Sequence, residues 1–179
     1  ATGREEVFGP QTLELAPTAK HWVVVGGGPG GMKAAEGLAK RGHRVTLLEK
    51  GSELGGQVNH IIRLPRRDSF AWITEDLKVH MAKAGVQVRL NCEASVELIK
   101  GLQPDGVIVA TGSLPDRSGY SDINPLVNRV PGLDADHVFT ALDVLAHPER
   151  VGKRVLVLDE EGNRYSAGIT ELLVDSGHE

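Results

Sequence analysis

The sequence predicts an α/β fold: a Rossmann-like parallel sheet with flanking helices, followed by the start of a second βαβ unit. Three observations predict it. The β-branched run Val23-Val24-Val25 leads straight into the glycine cluster Gly26-Gly27-Gly28-Pro29-Gly30-Gly31, and a helical pattern starts immediately after it. A second apolar run, Val45-Thr46-Leu47-Leu48, then ends in Glu49. Strand, glycine turn, helix, strand and acid in that order describe a βαβ unit, whose two strands lie parallel.

The glycines explain the first turn. Gly26, Gly28 and Gly31 stand at the spacing of the dinucleotide-binding fingerprint. Gly26 allows a tight turn off the strand, Gly28 removes the Cβ that would block a pyrophosphate, and Gly31 lets the helix lie close to the strand. The helix is read over 32–41, with Met32, Ala35, Leu38 and Ala39 on one face and Gly42 as its stop. Its unpaired N–H groups and positive dipole end point at whatever sits above Gly28. Glu49, about 20 residues past the glycines, is the expected acceptor for a ribose hydroxyl pair.

Composition excludes several classes. A chain of 179 residues can hold one good core, or one domain plus part of another. Formal charge is −4, the basic residues are dispersed and no apolar run approaches a membrane span, so neither a nucleic-acid surface nor a membrane is expected. The first twenty residues are polar, with Pro10 and Pro17 and no apolar core of a signal peptide. The single cysteine, Cys92, excludes an internal disulfide and any cysteine-held cluster or zinc within these residues. A cytoplasmic location is expected.

Along the chain, residues 1–19 read as a linker from an upstream domain, 20–150 as the nucleotide-binding domain and 151–179 as the opening of a second, degenerate one. Residues 51–67 are irregular and carry Gly55-Gly56-Gln57 and Arg63-Leu64-Pro65-Arg66-Arg67. Such a loop lies where open α/β sheets bind ligands, and one arginine is expected on a nucleotide phosphate or the adenosine edge. Asp68 can cap a helix through Phe70, Ile73, Leu77, His80 and Met81, which Gly85 ends. Strands are expected over 86–90 and 106–110, the latter running into Thr111-Gly112. Residues 113–137 are loop-rich, and Thr140 with Asp143 resembles a capping box for a short helix that Pro148 closes.

The last stretch begins a second unit: a strand over 155–158, then an amphipathic helix with Ile169, Leu172, Leu173 and Val174, which Ser166 can cap. Its turn holds Asp159, Glu160 and Glu161 in place of glycines. Carboxylates repel a diphosphate, so this turn has the architecture of a nucleotide site without its chemistry. The sequence stops at Glu179, where the next strand is due, and is expected to be a fragment.

These motifs together resemble the nucleotide-binding part of the 2,4-dienoyl-CoA reductase and trimethylamine dehydrogenase family of iron–sulfur flavoproteins. The likeness rests on GGGPGG, on Gly42 to Glu49, on Glu53-Leu54-Gly55-Gly56-Gln57 and on Ala110-Thr111-Gly112. The opening Ala-Thr-Gly-Arg-Glu-Glu resembles the segment after that family's last cluster cysteine. The resemblance implies that an FMN-binding barrel, a 4Fe–4S cluster and the substrate site belong to sequence outside these residues. It places an FAD or ADP pyrophosphate on Gly26, Gly28, Pro29, Gly30 and Gly31, and the adenosine ribose on Glu49 with Lys50 beside it. It places Gly56, Gln57 and Arg67 on the ribose–phosphate side, Ala94 at the adenine, and Ala110-Thr111-Gly112 at the diphosphate. The acidic second turn shifts the likeness toward the amine dehydrogenases and demethylases, with an electron-transferring flavoprotein as an implied partner. A 2,4-dienoyl-CoA reductase-type enoate reductase using NADPH, or a module holding structural ADP, stands as the alternative.

No catalytic residue is expected here. None of the seven histidines stands with a nucleophile in a recognisable order. No serine occupies a G-x-S-x-G context. Asp134, Asp136 and His137 read as a polar loop rather than a metal site, and Cys92 as a buried filler.

Overall fold

The structure, a computed structural model, describes residues 13–119, 126, 129–159, 162 and 164–179. In chain order the elements are β1 (His21–Val25), α1 (Pro29–Lys40), β2 (Arg44–Leu48), α2 (Val58–Ile61), α3 (Ala71–Lys83), β3 (Gln87–Arg89), α4 (Val96–Leu102), β4 (Gly106–Val109), α5 (Ala141–Ala146) and α6 (Arg164–Asp175). Short 3-10 turns lie at Asp68–Phe70 and Pro148–Arg150. Two compact units result. One comprises the described residues up to Gly56 with Trp72–Gly112, the other Gln57–Ala71 with the described residues of Ser113–Glu179.

The first unit is built on an all-parallel sheet in the order β3-β2-β1-β4. The Rossmann-like α/β expectation is met. β1 and β2 are flanked on both sides, and a parallel strand so placed is covered on both faces. Their apolar runs fit that demand: Val23, Val24, Val45, Leu47 and Leu48 are all buried. β1 and β2 pair in register from His21 with Arg44 to Val25 with Leu48, so Gly26 and Glu49 leave the sheet side by side. Met32 and Ala35 of α1 and Leu77 and Met81 of α3 pack with Val24, Val45, Leu47 and Leu54 into one core.

One residue on the buried face of α1 is charged. Glu36 is 1% exposed and accepts Nζ of Lys33 at 2.7 Å and of Lys40 at 2.5 Å. Nδ1 of His80 on α3 lies 3.6 Å away. Burial pushes the Glu36 carboxyl up, but the two lysines outweigh it and hold it below its ordinary value. The helix itself starts three residues earlier than the periodicity suggests. Gly30 and Gly31 are poor helix formers, so only the turn geometry, led by Pro29, reveals the true start.

In the second unit Leu64, Val144, Leu145, Ile169 and Leu173 form the core. The capping box at α5 is present: Thr140 Oγ1 accepts the Asp143 N–H while the Asp143 carboxylate accepts the Thr140 N–H. Arg117 Nη2 adds an ion pair to Asp143 at 2.5 Å. Burial raises the Asp143 carboxyl, and Thr140 and Arg117 bring it below its ordinary value.

Several elements differ from the sequence expectation. Asp68 opens a 3-10 turn instead of capping a helix, and α3 starts at Ala71. The buried face of α3 runs through Thr74, Leu77 and Met81, which leaves Phe70 36% and Ile73 43% exposed. The tighter turn changes the phase of the side chains that precede α3. Residues 155–158 form no strand. Glu179 donates to Lys153 O and accepts from Val155 N, each at 2.8 Å, which is one rung of a parallel ladder and no more. Leu156 and Leu158 accordingly stand 93% and 81% exposed. α6 begins at Arg164, so Ser166 lies inside it, and its Oγ donates to Asp159 at 2.6 Å rather than capping the helix. The short helices α2 and α4 carry too few turns to show a period, and α4 is marked only by its Ser95 cap.

Candidate functional site

The first turn is wedged shut on one side and open on the other. Gly26 leaves β1 with φ +108°, and its N–H donates to Leu48 O at 2.8 Å. A Cβ on Gly26 would lie 2.3 Å from Ala110 O, and one on Gly31 would lie 1.9 Å from Gly26 O. Bare backbone at both positions therefore lets α1 start directly on the end of the sheet. Gly28 is the N-cap, in extended conformation and without a side-chain cap. Its carbonyl accepts the Met32 N–H, the first helical bond, at 2.9 Å. The Gly30 and Gly31 N–H groups thus have no acceptor within the helix, and Pro29 has no N–H to satisfy. The first turn of α1 carries no acidic residue. At Gly28 and Gly30 an added Cβ would meet nothing within 4 Å. Free donors, a positive helix end and empty space coincide, which is what an anion needs.

Glu49 follows β2 beside this turn, and both of its oxygens are in use. Oε2 accepts the Gly27 N–H and Oε1 the Gly51 N–H, each at 2.6 Å. Each carboxylate oxygen keeps a further lone pair, so hydroxyl donors can still be accepted. Lys50 is exposed. The segment after β3 lies against the same corner: Cys92 N donates to Glu49 O and Asn91 N to Gly51 O, both at 2.9 Å, and Ala94 follows half-buried.

Two further segments flank the turn. Gly55 N donates to Gly27 O at 2.9 Å, and a Cβ on Gly56, at φ +54°, would lie 3.0 Å from Gly28 Cα. From β4, Ala110 N donates to Val25 O at 2.8 Å, and Thr111 and Gly112 continue exposed. The structure therefore gathers Gly26, Gly28 to Gly31, Glu49, Gly56 and Ala110 at the carboxyl end of the sheet. Gln57 and Arg67 belong to the second unit. There Gln57 Nε2 donates to Ser113 O at 2.6 Å and Arg67 Nη1 to Arg66 O at 3.3 Å.

Sequence reasoning missed Gly27, Gly51 and Gly55. Gly27 anchors Glu49 and Gly55 at once, and a Cβ on it would lie 2.5 Å from Leu54 Cδ2. Its place inside the Gly-Gly-Gly run was the only available signal. At the second turn Asp159 accepts the Gly162 N–H at 2.9 Å as well as the Ser166 hydroxyl. Glu160 and Glu161 lie outside the described residues. Among the described residues no group of three or more histidine, cysteine, aspartate or glutamate side chains could hold a metal. No described helix is long and apolar enough to cross a membrane.

Residues 24–87 match a family model described as an NAD(P)-binding Rossmann-like domain. An NADH oxidase of Thermoanaerobacter brockii is 41% identical over 161 residues, covering 89% of this chain and 22% of that protein. The N,N-dimethylglycine/sarcosine dehydrogenase of Chromohalobacter salexigens is 36% identical over 186 residues, covering 99% of this chain and 25% of that one. Among solved structures, histamine dehydrogenase from Rhizobium sp. 4-9 superposes with a TM-score of 0.86 at 27% identity, over 95% of this chain and 26% of its own. The chain thus spans about a quarter of the length of the relatives it matches. The chain therefore carries a Rossmann-like NAD(P)-binding domain and is similar, over that quarter of their length, to oxidoreductases such as these.

Proposed function

We propose that this chain is the FAD- or ADP-holding module of a larger oxidoreductase, an amine dehydrogenase or demethylase that passes electrons from FMN through a 4Fe–4S cluster. The observation that carries this reading is the open cradle at Gly28 with the Glu49 carboxylate beside it. The Gly30 and Gly31 N–H groups donate to the diphosphate, and Glu49 accepts the ribose hydroxyls while holding Gly27 and Gly51 in place. Ala94 contributes backbone at the adenine, and Ala110-Thr111-Gly112 closes the diphosphate side. Lys50 supplies positive charge, beside Gly56, on the ribose–phosphate flank. An FAD in this cradle would supply two-electron redox chemistry, whereas ADP would supply none. No residue of this chain moves a proton or attacks a substrate in this reading.

The boundaries that go with it are a linker over 1–19, a nucleotide domain over 20–150 and the opening of a second domain over 151–179. The remaining cofactors and the substrate pocket lie elsewhere in a cytoplasmic polypeptide, with an electron-transferring flavoprotein as acceptor. The amine branch is supported by Asp159, whose carboxylate stands at the second turn and accepts the Gly162 N–H and the Ser166 hydroxyl. A nicotinamide-dependent enoate reductase is the second reading, supported by the name of the 41% identical NADH oxidase. Denaturing the purified protein and identifying the released nucleotide by mass and visible absorption tests the module. Release of no adenine nucleotide, and failure to bind ADP or FAD when offered, would overturn it.

A further inference from the structure

Gly27 sits in the middle of the first turn, and the loop after β2 holds it in three ways. Glu49 Oε2 accepts its N–H at 2.6 Å. Gly55 N donates to its carbonyl at 2.9 Å. Leu54 Cδ2 takes the place where a side chain would stand, since a Cβ on Gly27 would lie 2.5 Å from it. The same loop closes on itself where the Gly51 N–H donates to Glu49 Oε1 at 2.6 Å. Of residues 49–56 only Leu54 and Gly55 are buried, and Leu54 alone adds a side chain to the core that holds Val24, Met32 and Leu47. A close-packed core fixes the position of the side chains in it, whereas loop hydrogen bonds near solvent open readily. Leu54 is therefore the fixed point of the loop, and the Glu49 carboxylate takes its aim from what Leu54 holds still.

We propose that Leu54 is a positioning residue for the ribose end of the cradle: by filling the space beside Gly27 it fixes that peptide against Glu49 and aims the carboxylate at the ribose hydroxyls. It acts through Gly27 and Glu49, and every group involved belongs to the first unit. This rests on the nucleotide reading above and adds to it an apolar residue that makes no polar contact with the nucleotide.

The test compares Leu54→Val, which stays apolar but withdraws the methyl from Gly27, with Leu54→Met, whose flexible chain reaches it again. Amide hydrogen exchange in the nucleotide-free protein, followed by NMR, is the first readout. The Gly26 N–H, which donates to Leu48 O, is the internal reference for any general loosening. Exchange at Gly27 and Gly51 should rise relative to Gly26 in L54V and return toward the parent ratio in L54M. Calorimetric affinity for ADP and for 2′,3′-dideoxy-ADP, which lacks both ribose hydroxyls, is the second readout. L54V should weaken ADP binding by about 3- to 10-fold, the equivalent of one hydrogen bond, and leave the dideoxy compound unchanged. L54M should recover the ADP affinity. An equal rise in exchange at Gly26, Gly27 and Gly51, an equal loss for both nucleotides, or an L54M variant that behaves like L54V would each overturn the proposal. Failure of the parent protein to bind ADP overturns the nucleotide reading, while the exchange comparison still decides whether Leu54 fixes Gly27 against Glu49.

Discussion

Gly28 and Gly31 sit three residues apart in one turn, yet a side chain would meet opposite surroundings at the two. A Cβ on Gly31 would lie 1.9 Å from Gly26 O, while one on Gly28 would meet nothing. Gly31→Ala should therefore damage folding by several kcal/mol, seen as a lowered denaturation midpoint. Gly28→Val should fold with near-parent stability and lose nucleotide binding, because the bulk enters the space a diphosphate needs. Equal stability loss in both variants would contradict this division. Glu49→Ala should weaken ADP or FAD binding by about 1–3 kcal/mol in calorimetry, as charged hydrogen bonds are lost. It should also loosen Gly27 and Gly51, whose N–H groups lose their acceptor.

Among the elements, α1 is held by an ionic contact as well as by packing. Glu36 is buried, with two lysines reaching over it from solvent. Glu36→Gln should lower stability at neutral pH by about 1–2 kcal/mol, the exposed lysines limiting the effect. The folded carboxyl lies below its ordinary value of 4.5, so the ionised form is the one that folding favours. Its contribution is full above that value and is lost as pH falls through the lower, folded one. The stability gap between parent and variant should therefore narrow on acidification below about pH 4.5, measured by urea titration at stepped pH. A gap that widened would reverse the sign of this argument. At α5, Thr140→Ala should cost about 1 kcal/mol, because it removes the hydroxyl that caps Asp143 N.

For the whole molecule, two turns lead into long helices, α1 and α6, and differ in what meets the helix. The first presents free donors and empty space. The second presents Asp159, which already accepts from Gly162 N and Ser166 Oγ. The protein should bind ADP or FAD with one site per chain, and neither NADH nor NADPH at millimolar concentration at the second turn. Equilibrium dialysis of the parent and the Gly28→Val variant separates the two turns. Nicotinamide binding that survives Gly28→Val would refute the assignment. In the full-length enzyme, anaerobic reduction of the flavin by NADPH at the rate of turnover would favour the enoate reductase reading.

The first βαβ unit was legible in the sequence because its determinants are local. A β-branched run, glycines at fixed offsets, a helical period and a terminal acid each act within a few residues of themselves. They sufficed for the parallel sheet, for the cradle at Gly28 and for Glu49 as its neighbour. Other features depended on residues far apart in the chain. No pattern in residues 155–158 shows whether a neighbouring strand exists to pair with them, and a parallel strand cannot form alone. No period reveals that Glu36 will be buried under two lysines, since an isolated glutamate on a helix reads as solvent-facing. The roles of Gly27, Gly51 and Gly55 likewise follow from which backbone groups the fold brings within 3 Å of one another. Sequence by itself determined the glycine turn between β1 and α1. The tertiary structure decided which loops enclose that turn and which bonds hold them there, because loop closure is a property of contacts that local spacing does not encode.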